Sequence, residues 1–245
     1  MRRSNSGLLG LGALVALAVV PAVAAADDAD TCARKSGDVA VAACARAIAS
    51  GQFRGEELAK IYLNRGIEYK RQGDLDRAIA DYSEAIRLDP GHVAAYNNRG
   101  IAWAERGEID RAIADYGEAI RIDPKHAHAY NNRANAWRAK GDLERAIADY
   151  DQALRLDPKY VEAYDNRGDA WVVKGDLGRA IADYNEAILL DSKYAISYFN
   201  RGVAREKKRS LQEALADFET YSKLVPSDPD GRKSVERVTR EMNAR

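Results

Sequence analysis

Redox and metal chemistry have almost no raw material in this sequence. Its 245 residues include two cysteines and three histidines, too few for a disulfide-dense miniprotein. His126-Ala127-His128 is a lone His-x-His with no cysteine or acid at metal spacing, so no metal site is expected. No glycine-rich loop of the phosphate-cradling kind occurs and the serines stand away from any histidine, so neither a cofactor nor an enzymatic reaction is expected. Neither sign of charge prevails: 38 basic side chains balance 38 acidic ones, without a basic block. The phosphate attraction on which nucleic-acid binding rests is therefore missing. Charge itself is plentiful at 31% of residues, above the roughly 25% usual for globular domains.

Long apolar stretches are also lacking. The longest runs from Leu8 to Val20, about 13 residues, well short of the roughly 20 that span a bilayer. Arg2 and Arg3 precede it, and Pro21 and an alanine-rich stretch to Ala26 follow. A charged start, a short apolar centre and small residues before a cut read as a secretory signal peptide over residues 1–26, cleaved after Ala24 or Ala26. Export to a bacterial periplasm or to the medium is expected, with no membrane insertion after cleavage. Removing Arg2 and Arg3 leaves the acids in excess by two.

What the chain has in abundance is repetition. Asn-Arg recurs at Asn64, Asn98, Asn132, Asn166 and Asn200, always 34 residues apart. Tyr62, Tyr96, Tyr130, Tyr164 and Tyr198 keep step, as do Gly66, Gly100, Ala134, Gly168 and Gly202, and the alanines at 78, 112, 146, 180 and 214. Such a period means an array in which each unit buries its core against its neighbours. Within one copy Tyr62, Gly66 and Tyr69 fall at i, i+4 and i+7, one face of a helix, and Ala78, Tyr82 and Ala85 repeat that spacing on a second. Gly73 can end the first helix in the left-handed conformation, Asp74 can cap the second, and Pro90 stops it. Each unit is thus a helix hairpin.

Tyr62, Gly66, Tyr69, Ala78, Tyr82, Ala85 and Pro90 resemble the tetratricopeptide-repeat pattern, and the match holds through five copies at 59–92, 93–126, 127–160, 161–194 and 195–228. The resemblance implies an all-α fold, a right-handed superhelical solenoid of antiparallel helix hairpins. It also implies a binding scaffold without chemistry of its own, whose concave face, lined by each first helix, takes a protein or peptide. One column departs from the family, since Arg65, Arg99, Arg133, Arg167 and Arg201 stand where leucine is usual. Each has an acid on the facing second helix, at Asp81, Asp115, Asp149, Asp183 and Asp217, and a half-buried guanidinium needs such a partner.

The ends differ from the middle. Residues 27–58 read as a shortened hairpin in which Cys44 takes the aromatic place on the second helix and Cys32 lies on the first. In an exported chain these two favour a disulfide. Copy five has Arg205 in the column of Trp103, Trp137 and Trp171, and Ser210 with Glu213 suggests a capping box. Residues 229–245 carry a thin apolar stripe of Val235, Val238 and Met242 on a charged helix, suited to cap the array and keep the chain monomeric.

Asn64 shares a stripe with Lys60, Ile67 and Arg71, turned away from the hairpin core. In related repeats this asparagine column lines the groove and bonds a ligand's backbone; here it either does so or crosslinks neighbouring first helices. The groove columns give this chain its individuality. Copy one has Lys60, Leu63, Ile67, Lys70 and Arg71, carrying three positive charges, and copy two has Asn97, Ile101 and Glu105. Copy three supplies His128, Asn131, Asn135 and Arg138, while copy four supplies Glu162, Asp165, Asp169 and Val173, with three negative charges. Copy five adds Ile196, Phe199 and Val203. A polarised groove for an extended partner is expected, its apolar side chains meeting Ile67, Ile101 or Phe199. Lys60, Asn64 and Asn98 partly resemble the family's carboxylate clamp, but Leu63 stands where a basic residue belongs. Two other readings exist: self-association through the terminal hairpins, and a glycan or small-ligand receptor resting on aromatic and amide content.

Overall fold

The hairpin period translates directly into helices. The computed structural model describes residues 22–244, so the run from Leu8 to Val20 and most of the expected signal peptide lie outside the described residues. Among the described residues there are thirteen helices and no strands: α1 (Ala22–Arg34), α2 (Gly37–Ala49), α3 (Gly55–Arg71), α4 (Leu75–Leu88), α5 (Val93–Glu105), α6 (Ile109–Ile122), α7 (Ala127–Ala139), α8 (Leu143–Leu156), α9 (Val161–Lys174), α10 (Leu177–Leu190), α11 (Ala195–Lys207), α12 (Leu211–Leu224) and α13 (Pro229–Asn243). Helix α1 starts ahead of both candidate cleavage points, and α3 starts four residues before the repeat boundary at 59.

Gly73, Gly107, Gly141 and Gly175 all have φ between 80° and 86°, the left-handed turn that only glycine takes without strain. Asp74, Asp142 and Asp176 then accept the backbone N–H of Arg77, Arg145 and Arg179 and start the second helix. Tyr82, Tyr150, Tyr184 and Phe218 are almost completely buried at the crossing of each pair. At Gly100 a Cβ would lie 2.6 Å from the Tyr116 ring, so the small column is what lets the ring in. At about 25 cal/mol per Å², each such ring contributes at most roughly 4 kcal/mol.

Each hairpin packs its second helix on the next first helix. Consecutive first helices also touch, α3 with α5, α5 with α7, α7 with α9 and α9 with α11, while consecutive second helices make no comparable contact. The inner, concave side of the right-handed solenoid is therefore built by α3, α5, α7, α9 and α11. No helix among the described residues is long and apolar enough to cross a membrane.

At the N-terminal end Cys32 and Cys44 are bonded to each other, with Cα atoms 4.8 Å apart, and pack with Ala43, Ala47 and Ile61. The C-terminal end follows the apolar stripe: Val238 is fully buried, and Val235 and Met242 pack on Leu211, Ala214 and Phe218. The capping box does not form. Ser210 occupies the cap position without a side-chain bond, and the Glu213 carboxylate lies toward Arg205 at 3.5 Å. In the other copies the same two columns hold an aromatic ring under an arginine: Arg77 on Tyr69 and Arg145 on Trp137, 4.3 and 3.9 Å from the centroids. Copy five replaces that cation–π stack with an ion pair. Arg209, a non-glycine at φ 66°, holds its turn while its side chain pairs with Glu241 of α13.

Candidate functional site

The concave face is assembled from three polar systems, each repeating with the array. The deepest is the arginine column. Arg65, Arg99, Arg133, Arg167 and Arg201 each grip the facing aspartate with two nitrogens, at distances from 2.6 to 3.0 Å. The aspartates are buried. A third nitrogen reaches back to the previous second helix, from Arg99 to Ser83 Oγ (3.0 Å), from Arg167 to Asp151 (2.6 Å) and from Arg201 to Asn185 (2.6 Å). The hydrogen bonds it donates to Asp81 hold the Arg65 guanidinium above its ordinary pKa. Arg99, Arg167 and Arg201 thus tie consecutive hairpins together, Arg65 and Arg133 brace their own hairpin, and none of the five is a free anion donor.

The second system is the asparagine ladder, and here the structure selects crosslinking. Asn132 Nδ2 donates to Asn97 Oδ1 (3.0 Å), Asn166 to Asn131 (3.2 Å), and Asn200 to Asp165 (3.2 Å) and Asp169 (3.3 Å). Every rung joins a first helix to the preceding one. Asn131 and Asp165, expected at the groove surface, are instead buried between helices at 4% and 5% exposure. The ladder stops where Leu63 occupies the acceptor column. Leu63 cannot accept, so Asn98 has no partner among the described residues, and neither has Asn64.

The third system caps the buried tyrosines. Tyr150 donates to Asn135 Oδ1 (2.5 Å) and Tyr184 to Asp169 Oδ1 (3.0 Å). Copy five has Phe218 with Val203, needing no cap. Copies one and two combine tyrosine with isoleucine, Tyr82 with Ile67 and Tyr116 with Ile101, and the buried Tyr82 hydroxyl has no partner among the described residues. Comparing these columns in the sequence could have revealed the caps, but only the structure shows that they meet.

The expected charge polarisation is neutralised internally. Lys70 pairs with Glu105 (3.0 Å), Arg71 with Glu68 (2.5 Å) and Asp169 with Arg138 (3.2 Å). Glu68 stands outside the groove columns, and the pairs of Lys70 and Asp169 reach to a neighbouring first helix. Asp165 accepts Ser197 Oγ at 2.5 Å, and burial pushes its carboxyl up to about 6, with Asp169 adding to the rise and the donors Ser197 and Asn200 opposing it. Phe199 is likewise drawn inward, its ring 5.6 Å from Phe218 and 5.0 Å from Tyr221. His128 is exposed and bonds Tyr160 through Nδ1 (2.8 Å). Lys60 and Glu162 remain exposed, and Ile67 and Ile101 half-exposed. Beside copy one a recess of about 450 Å³ is lined by Cys32, Lys35, Asn64, Ile67 and Arg71 among others. Among the described residues no group of histidine, cysteine, aspartate and glutamate could hold a metal ion.

Two family models match the same architecture. The tetratricopeptide-repeat model matches residues 63–127 and the TPR-repeat model 134–175 and 168–208, together more than half of the chain. The chain belongs to the tetratricopeptide-repeat family. A solved MamA structure is 25% identical, with TM-score 0.59, covering 68% of this chain and 91% of its own. YrrB, described as a TPR protein with an unusual peptide-binding site, is 20% identical with TM-score 0.58, covering 73% and 92%, a likeness of fold alone. The chloroplastic tetratricopeptide repeat domain-containing protein PYG7 of Arabidopsis thaliana is 40% identical over 42 residues. That match spans 17% of this chain and 14% of PYG7.

Proposed function

We propose that this tetratricopeptide-repeat protein is an exported, monomeric, non-catalytic scaffold that holds an extended peptide or protein segment in its concave groove, in a bacterial cell envelope. Tetratricopeptide-repeat proteins bind proteins or peptides. The observation that carries the reading is the side-by-side contact of α3, α5, α7, α9 and α11, which leaves one continuous inner surface with half-exposed apolar and amide groups. A peptide lying across that surface can bury side chains on Ile67 and Ile101 while amides hold its backbone. Export rests on the sequence from Arg2 to Ala26, and the cystine of the first hairpin fits an oxidising compartment.

Photocrosslinking in the intact envelope tests both parts. Probes at Ala104 and Val173, accessible on the first helices of copies two and four, should capture a defined partner, and a probe at Leu189, exposed on a second helix, should not. Capture at none of them, or only at Leu189, sinks the groove reading. Recovery of the full chain, uncleaved, in the cytoplasm sinks the export.

A further inference from the structure

The concave face is not uniformly available. In copies three to five its polar groups are already used by the protein: Asn132, Asn166 and Asn200 each donate to the preceding helix, and Asn135 and Asp169 each accept a tyrosine hydroxyl. Copies one and two contain the same donors without the acceptors. Among the described residues Asn98 has no acceptor, because Leu63 interrupts the ladder, Asn64 has none, because Ala29 stands at its rung, and the Tyr82 hydroxyl is buried with none, because Ile67 replaces the capping amide. A buried donor without a partner is destabilising, typically by 1–3 kcal/mol, and any group that supplies an acceptor recovers this. The Lys70–Glu105 pair, whose carboxylate acts electrostatically on the Tyr82 hydroxyl, is half-exposed on the glutamate side, and such exposed pairs are held weakly, so it is no fixed barrier to a ligand.

We infer that ligand binding is confined to copies one and two, where Asn64, Asn98 and Tyr82 donate to the backbone carbonyls of an extended peptide whose aliphatic side chains rest on Leu63, Ile67 and Ile101. This rests on the groove reading above and narrows it to one end and one ligand chemistry. The unmet groups are all donors or amides, which asks for carbonyl acceptors. The surrounding side chains are aliphatic, which asks for aliphatic partners.

The experiment pans a phage library of random linear dodecapeptides on the mature chain, then measures the affinity of the enriched peptides for variants by fluorescence anisotropy. Enriched peptides should carry aliphatic residues. Asn98→Ala should weaken them about 10-fold without changing Tm, since that amide has no partner to lose. Tyr82→Phe should weaken them several-fold yet raise Tm, because it removes an unsatisfied hydroxyl; Phe218 shows that the column accepts the ring. Tyr150→Phe should do the reverse, lowering Tm and leaving affinity within about 2-fold, as should Asn166→Ala. Peptides that depend on Asn166 or Tyr150 and ignore Asn98 and Tyr82 would overturn the inference and leave the groove reading standing. Enriched peptides lacking aliphatic residues would overturn the ligand chemistry. A library that enriches nothing, together with empty crosslinking at Ala104 and Val173, would remove both.

Discussion

Asp165 and Asp149 are both buried aspartates, yet their partners differ. Asp165 stands in a column otherwise filled by Asn97 and Asn131, shares Asn200 with Asp169, and faces Ser197 and, across Asp169, Arg138. Its carboxyl is raised from 3.8 to about 6, mainly by burial. A carboxyl with a raised folded pKa favours the fold fully below its unfolded value near 4, and that contribution is lost as pH rises through about 6, amounting to roughly 2–3 kcal/mol. Asp165→Asn should therefore be about 1–2 kcal/mol more stable than the parent at pH 7.5 and no more stable at pH 4, by urea denaturation. Asp149 is instead neutralised by Arg133. Arg133→Leu strands the carboxylate, at a loss of about 2–4 kcal/mol by urea denaturation. Asp149→Ala strands a guanidinium that never deprotonates, at a comparable loss. A double variant whose loss equals the sum of the two single losses would contradict the pairing. The column of arginines and its acids could be read from the sequence, because both recur every 34 residues. The raised Asp165 carboxyl could not, since it depends on Ser197 and Asn200 from the next hairpin.

The first hairpin and the last helix are the elements with a neighbour on one side only. Closing the loop between Cys32 and Cys44 stabilises by roughly 3 kcal/mol in the chain-entropy model. The mature protein unfolded without reductant should show no free thiol. In Cys32→Ser/Cys44→Ser, amide exchange should accelerate in α1 and α2 and stay unchanged in α8 to α12, as nearest-neighbour stability in an array demands; uniform acceleration would mean one cooperative core. At the other end α13 approaches so closely that a Cβ at Gly231 would lie 2.6 Å from Ser222 Oγ. Its apolar stripe was visible in Val235, Val238 and Met242 by period alone. The absent capping box at Ser210 was not, because the local spacing that suggests it does not show that Glu213 lies toward Arg205 on another helix.

At the scale of the whole molecule, a solenoid stays monomeric only if its ends are covered. Deleting residues 229–245 uncovers Leu211, Ala214 and Phe218. The loss of three packed apolar side chains should lower stability by roughly 4 kcal/mol and make the chain associate with concentration in light scattering, whereas the full chain should remain a monomer. By itself the sequence determined the repeat, the hairpins, their glycine and aspartate turns, the arginine pairs and the family. All of these follow from spacing along one chain and one local geometry used five times. Which polar groups are free was decided by the tertiary structure alone. Asn98 and Asn132 look identical in the sequence, and Lys60, Lys70 and Arg71 look like one positive patch. Whether an amide or a charge is available depends on what the neighbouring hairpin places opposite it: Leu63 or Asn97 for the amides, Glu105 or water for the lysines. That distance across helices is set by packing, which no single copy contains.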